Sequence, residues 1–158
     1  MSLIIVLGVA AVAIALSPIL VKIIGTKAGY PLGMLALADT VLLARELPRA
    51  LVEPITVSYP WVPGALADIG FSVRLDGLSA IFALLALIVG AVVFLYSAAY
   101  LPTRGSGATN FYTLMTAFMA SVLLLVLADD VFLLFIAWEL VSLASFILIA
   151  RSGGRGGE

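Results

Sequence analysis

Apolar residues are grouped along the chain into five long runs separated by polar connectors. Runs of about 20 apolar residues match the length of an α-helix that crosses the roughly 30 Å hydrocarbon core of a bilayer. The pattern therefore predicts an all-α integral membrane fold, a bundle of about five transmembrane helices in a single domain over residues 1–150. The predicted spans are 3–24, 28–44, 78–101, 111–127 and 131–150.

The loop between the second and third spans, residues 46–75, follows a different pattern. Apolar and polar residues alternate in Ile55–Tyr59 and again in Phe71–Leu75, which is typical of β-strands. Prolines and glycine between these segments favour a turn. We therefore expect a β-hairpin on one face of the membrane, with Trp61 at the depth of the lipid headgroups, where amphipathic rings are favoured.

The positions of the basic residues predict the orientation of the spans. One side of the predicted bundle collects Lys22, Lys27, Arg104, Arg151 and Arg155. Cytoplasmic loops of membrane proteins carry an excess of Lys and Arg. We therefore expect a multi-pass protein of a bacterial-type cell membrane, with its N-terminus and extracytoplasmic hairpin outside. The C-terminus, with a flexible glycine-rich tail at 151–158, is expected in the cytoplasm.

Composition narrows the chemistry that the chain can perform. Hydrophobic residues make up 64% of the 158 residues and charged residues only 11%, against about 25% in soluble domains. Cysteine and histidine are both absent, which excludes disulfides, thiolate catalysis and the commonest metal ligands. The sequence has no phosphate loop, nucleophile–base pair or basic run for nucleic acid. We expect neither enzymatic activity nor a metal or cofactor, which leaves carboxylates, hydroxyls and a few cations.

Glu139 is the strongest candidate site, because it is the only charged residue in the apolar stretch Val131–Ala150. It follows Asp130 by nine residues, about 13–14 Å along a helix, and so lies near the bilayer midplane. A charge there costs on the order of 2.5–3.5 kcal/mol and usually marks an ion path or a buried partner. Helical spacing places Ser142 and three aromatic rings on its face. The pattern favours a proton relay held inside the bundle, with a structural glutamate paired across the bundle as the alternative.

Four other acidic residues have a structural and a functional interpretation each. Asp39 could belong to a polar path, or it could hydrogen-bond inside the bundle or lean toward the interface near Arg45. Asp76 opens the third span as a typical N-cap, with a direct role in the path as the alternative. Asp129 and Asp130 could attract cations at the outer mouth, or form a solvated turn in which Asp130 caps the fifth span.

Several motifs together resemble a known family over roughly residues 59–150. They are Tyr59-Pro60-Trp61-Val62-Pro63, Phe71 to Ser79 with its Asp-Gly-Leu-Ser ending, Tyr96 to Leu101, Asn110-Phe111-Tyr112, and Phe135 to Phe146 around Trp138-Glu139-Leu140. The stretch resembles the N-terminal part of the large subunit of multisubunit Mrp-type cation/proton antiporters. That large subunit is itself similar to the proton-pumping membrane-arm subunits of respiratory complex I.

The resemblance implies specific roles. Glu139 would belong to a proton-translocation path and work with a lysine on a later, broken helix. Asp76 would belong to the shared Asp-Gly-Leu-Ser motif, for which the resemblance implies no established chemistry. Val141 stands where the family usually has threonine, so one possible hydroxyl group near Glu139 is missing. Family members continue through many more helices beyond Glu158.

We therefore expect an N-terminal piece of an antiporter subunit, either a split gene product or a shortened chain. Other antiporter subunits in a hetero-oligomeric complex would complete its path for exchange of Na+ and H+. The alternatives are a structural or assembly subunit of that complex, in which Glu139 pins a neighbouring helix, or a membrane-arm subunit of a complex I-like proton pump.

Overall fold

A computed structural model describes residues 2–60, 70–100 and 106–153. Over these ranges the chain forms five α-helices and a two-stranded antiparallel sheet, which confirms the predicted fold class. The helices are α1 (Ser2–Ile24), α2 (Gly29–Ala50), α3 (Gly77–Tyr100), α4 (Ser106–Leu127) and α5 (Val131–Gly153). The strands are β1 (Ile55–Pro60) and β2 (Gly70–Leu75). The predicted positions of Trp61 and Arg104 lie outside the described residues.

Four helical stretches of the described chain are long and apolar enough to cross a membrane. They are Leu3–Ala50, Gly77–Tyr100, Gly107–Leu127 and Val131–Ala150. The first has 48 residues and would extend roughly 72 Å if straight, more than twice the hydrocarbon core. A 3-10 turn at Gly25–Ala28 divides it, and Gly25 has a φ of 64°, the left-handed conformation that ends helices. The stretch therefore comprises α1 and α2, which contact each other, in a multi-pass membrane protein.

Three boundaries differ from the sequence prediction because helical structure continues past the apolar runs. α2 extends to Ala50 rather than 44. In its last turns Arg45 and Arg49 are exposed, whereas Ala50 is buried. α4 begins at Ser106 rather than 111, and α5 includes residues 151–153 of the predicted tail. Hydropathy marks where a helix can contact lipid, whereas the backbone hydrogen bonds persist into the polar ends.

The helices pack in pairs, with α2 against α3 and α4 in contact with α1, α3 and α5. Two glycines allow α2 and α3 to approach closely. A Cβ added at Gly29 would meet the Phe94 carbonyl oxygen and lie 2.9 Å from the Ala98 Cβ, and one added at Gly33 would lie 2.9 Å from the Leu95 side chain. Small residues at such crossings let backbones meet, which is the usual way that helices associate in membranes.

Buried hydroxyl groups connect the helices near the α1–α2 turn. The fully buried Tyr112 donates to the Thr26 carbonyl at 2.8 Å. The Ser17 hydroxyl donates to the Ile14 carbonyl at 2.9 Å and lies 3.0 Å from the Thr113 hydroxyl. Pro18 has no N–H for that same carbonyl, so Ser17 satisfies a group that the proline would leave unpaired.

The hairpin lies at the opposite end of the bundle from the α1–α2 turn. Its strands pair with Ile55 opposite Leu75, and Val73 forms a bridge to Ala128, at the end of α4. The start of α1 therefore shares an end with the hairpin, and the end of α5 lies at the other. This is the relative arrangement that five alternating spans require, while the side that faces the cytoplasm stays a prediction.

Substitution of Gly29 by alanine tests the close α2–α3 packing. The added Cβ meets a backbone carbonyl that cannot move aside, so we expect a loss of roughly 1–3 kcal/mol of stability, as for other overpacked sites. Gly8→Ala is the matched control, because nothing lies within 4 Å of its added Cβ. Thermal unfolding of the purified chain in detergent measures both. Equal unfolding temperatures for the two variants would contradict the packing described.

Candidate functional site

Glu139 lies on the outward face of α5 in this chain. α5 packs mainly against α4, through the buried residues Leu133, Ala137 and Ala144. Glu139 follows Ala137 by two residues, or about 200° around a helix, and its side chain is exposed. The prediction that these five helices themselves enclose Glu139 is therefore wrong. One helix packed on a single side leaves the other side open.

The aromatic rings expected around Glu139 share this outward face. Phe132, Phe135 and Phe146 are exposed to between 44% and 69%. The Ser142 hydroxyl donates to the Trp138 carbonyl at 3.0 Å, so its hydrogen is used within the helix. Ser142 can still accept a hydrogen bond, but the structure does not pair it with Glu139. A carboxylate ringed by exposed aromatic groups at this depth requires a protein neighbour or a water-filled cavity beside α5.

Asp39 occupies the opposite environment, deep inside the packed helices. It is 1% exposed and lies on the buried face of α2 with Leu32, Ala36 and Leu43. Its Oδ1 atom has no hydrogen-bond partner among the residues that the structure describes. The interpretation in which Asp39 leans toward the interface near Arg45 is therefore wrong, because such a side chain would be exposed.

Asp76 and Asp130 form the N-caps expected of them. The amides of Leu78 and Ser79 donate to Asp76 Oδ1 at 3.1 and 2.9 Å, and the Asp76 amide donates to the Ser79 hydroxyl at 2.8 Å. The Ser79 amide is the main reason that the pKa of Asp76 lies below its ordinary value of 3.8, with Arg74 contributing in the same direction. Asp130 accepts from the amide of Phe132 at 2.7 Å.

Arg74 links the hairpin to the starts of two helices, a role that the sequence did not reveal. Its guanidinium lies 3.6 Å from Asp76 and 3.9 Å from Asp129. Ser72 donates to the Asp129 carboxylate at 3.3 Å and shares a 2.9 Å hydrogen bond with Ser58. These groups are partly exposed, so they orient the hairpin more than they stabilise it. The only available signal was a lone cation in an alternating strand, two residues before a cap.

These groups do not form a metal site. Within residues 2–60, 70–100 and 106–153, no group of three or more Asp, Glu, His or Cys side chains could hold a metal ion. A cleft of about 370 Å³ beside the cluster is lined by Arg74, Asp76, Ser79 and Asp129 among others. The structure brings Asp76 and Asp129 together at this end, while Asp39 and Glu139 lie on helices that do not pack against each other.

Comparisons with known proteins find similarity to one protein family, to curated antiporter subunits and to a chain of a solved complex. Residues 61–112 match the family described as NADH-ubiquinone oxidoreductase (complex I), chain 5 N-terminus. Over 124 residues the chain is 36% identical to the "Putative antiporter subunit mnhA2" of Staphylococcus aureus strain MRSA252, and the same figures hold for strain JH9. These alignments cover 78% of this chain but 15% of each relative, so the chain spans about a seventh of the length of these curated relatives.

A solved structure extends the similarity over almost the whole fold. The structure of the Mrp complex from Dietzia sp. DQ12-45-1b contains a chain 40% identical to this one, with a TM-score of 0.81. The match covers 94% of this chain and 16% of that chain. The complex I family match ends at residue 112 and does not reach Glu139, whereas this structural match extends over most of the described helices.

Acid titration of stability tests the Asp76 cap. Because the folded-state pKa of Asp76 is lowered, its stabilisation is present above about pH 3.8 and is lost as pH falls through the folded value. Asp76→Asn keeps a capping side chain without the charge, so we expect near-native stability at neutral pH and a shallower loss in acid. Asp76→Ala should lose about 1 kcal/mol at neutral pH. Identical acid profiles for wild type and Asp76→Asn would refute this assignment.

Proposed function

We propose that this chain acts as one component of a multisubunit Na+/H+ antiporter, since it is homologous to the N-terminal part of the large subunit of Mrp-type antiporters. In this proposal Glu139 contributes a protonatable group to a proton path that other chains of the complex complete. The chain itself is not a classical enzyme but part of a transporter. Its N-terminus and hairpin would face the outside of the cell, and the end of α5 the cytoplasm.

The single observation that carries the proposal is the placement of Glu139. It is the only charged residue in the 20-residue apolar span of α5, and its side chain faces away from α4. Facing hydrocarbon directly, an ionised glutamate at this depth would cost several kcal/mol. The side chain therefore needs a partner beyond the five helices, and the resemblance to the large antiporter subunit implies a lysine on a later helix.

A movable cation beside Glu139 would make the carboxylate a proton relay. When the cation lies close, it stabilises the ionised form, and the carboxylate releases its proton. When the cation moves away, the ionised form loses this support in apolar surroundings, and the carboxylate takes up a proton. The Ser142 oxygen can accept from the protonated acid. The rings of Phe135 and Phe146, exposed in this chain, would keep bulk water from the site once another chain packs against α5.

The second candidate function is structural, and the outward aromatic face of α5 favours it. Glu139 could pin a neighbouring helix through a permanent ion pair while Phe135, Trp138 and Phe146 fill the interface. The two functions differ in whether the charge has to change during turnover. A complex I-like pump is a third possibility, supported by the family match over residues 61–112. Copurification with quinone-linked redox subunits, rather than with small antiporter subunits, would favour that pump.

Glu139→Gln separates relay from pinning, because glutamine keeps the size and hydrogen-bonding capacity of the side chain but cannot be charged. We expect Na+-driven proton flux, measured in vesicles that hold the whole copurifying complex, to fall to background while the complex assembles normally. Glu53→Gln is the matched control, since Glu53 is an exposed glutamate in the turn after α2. Its flux should remain at the wild-type level.

The other outcomes identify the alternatives. Full flux in Glu139→Gln would demote Glu139 to a structural group. Failure of the Glu139→Gln complex to assemble, with Glu53→Gln intact, would favour the pinning function. Absence of Na+-driven flux in the wild-type complex would overturn the antiporter proposal itself.

A further inference from the structure

Asp39 is the one membrane-embedded carboxylate that the packing of the described helices encloses. It is the eleventh of the 22 residues of α2 and so lies halfway along the helix. Its side chain is 1% exposed, and its Oδ1 atom has no hydrogen-bond donor among the described residues. Buried polar atoms in proteins nearly always have a partner, so an unpaired carboxylate oxygen requires a specific explanation.

The helices that pack against α2 offer Asp39 no opposite charge. α3 contains no Asp, Glu, Lys or Arg, and its tyrosines, Tyr96 and Tyr100, are exposed in its last two turns. The only charged residue of α1 is Lys22, which is exposed in the last turn of that helix. Lys27, in the connecting turn, is exposed as well.

The polar residues of α2 itself do not reach the buried face either. Thr40 donates its hydroxyl hydrogen to the Ala36 carbonyl at 2.8 Å, and Arg45 is exposed. Glu46, nearly two turns further on, is the only other acidic residue in α2 and could not neutralise a carboxylate. Within the described helices, therefore, no cation faces Asp39 from its own or a neighbouring element.

Water is also kept from this position by the packing. The side chain of Asp39 is 1% exposed, and the buried face of α2 near it consists of Leu32, Ala36 and Leu43. An ionised carboxylate without a cation, donors or water in such surroundings is far more costly than its neutral form. Protonation removes this cost, because the neutral acid carries no charge to be solvated.

We propose that Asp39 is a second proton-binding site of the membrane bundle, a carboxylic acid that stays protonated at neutral pH and exchanges this proton with the transport path. Leucine would fill the same space at lower cost, so a carboxyl group here points to proton chemistry. The site is separate from Glu139, since α2 packs on α1 and α3 whereas α5 packs on α4. The protonation state stands on the packing alone, while the exchange rests on the proposed antiporter function.

Infrared difference spectroscopy of the purified complex at pH 7 tests the protonation. Subtracting the spectrum of Asp39→Leu from that of wild type should leave the carbonyl stretch of a protonated acid, shifted in heavy water. The matched control is Asp129→Asn, whose difference should contain the bands of an ionised carboxylate, because Asp129 is paired with Arg74 outside the membrane. Carboxylate bands for Asp39 instead of the acid band would overturn the proposal.

Flux measurements test the exchange. Asp39→Asn keeps the shape of the side chain but cannot release a proton, so Na+-driven proton flux should fall at least tenfold in an assembled complex. Asp39→Leu should assemble as well as wild type, because no ion pair is lost, and should show the same fall in flux. Wild-type flux in both variants would overturn the exchange. Loss of flux in Glu139→Gln, with normal flux in Asp39→Asn, would leave the antiporter function standing and remove only this inference.

Discussion

The structure depends on one constraint, that a polar group in the hydrocarbon core must find its partner within protein. The backbone satisfies this constraint through the hydrogen bonds of its helices. Buried hydroxyl groups satisfy it by donating to nearby backbone carbonyls. Ser17 satisfies the carbonyl that Pro18 leaves free, and Tyr112 satisfies a carbonyl of the α1–α2 turn. Against this background two carboxylates stand out, because neither Asp39 nor Glu139 has a cationic partner among the described residues. These two exceptions to the constraint are the positions for which we propose proton chemistry.

Close backbone packing fixes the position of the helix that carries Asp39. Gly29 and Gly33 place α2 so near α3 that even a methyl group would collide, and the Tyr112 hydroxyl lies 2.7 Å from a Cβ added at Gly29. α2 is therefore held at its N-terminal half by contacts with α3 and α4. At its other end Ala50 is buried and leads directly to the hairpin. A helix restrained at both ends presents the same face to the bundle throughout, and Asp39 lies on that face.

Most of the fold could be predicted from local patterns, because helix length, strand alternation and helix caps depend on residues that are close together in the sequence. The Asp76 and Asp130 caps illustrate this, since each bonds to amides two or three residues away. Contacts between distant segments could not be predicted in the same way. Arg74 meets Asp129 across 55 positions, and the exposure of Glu139 depends on which face of α5 packs on α4. Hydropathy located both intramembrane acids but could not tell which one the chain itself encloses.

Glu139 is exposed and Asp39 is buried, which suggests that the two acids have different roles within one protein chain. Glu139 lies on an open face, so in the proposed antiporter its protonation would be governed by the chain that packs against α5 and would change when that neighbour moves. Asp39 lies on the buried face of α2, which packs on α1 and α3, so in our proposal its protonation is governed by packing that this chain supplies by itself. In this proposal Glu139, whose surroundings depend on a neighbouring chain, could gain or lose its proton during the transport cycle. Asp39, whose surroundings are the packed helices of this chain, would keep its proton until that packing opens. Within the described helices α4 contacts α1, α3 and α5, and so offers a route by which the two acids could be coupled.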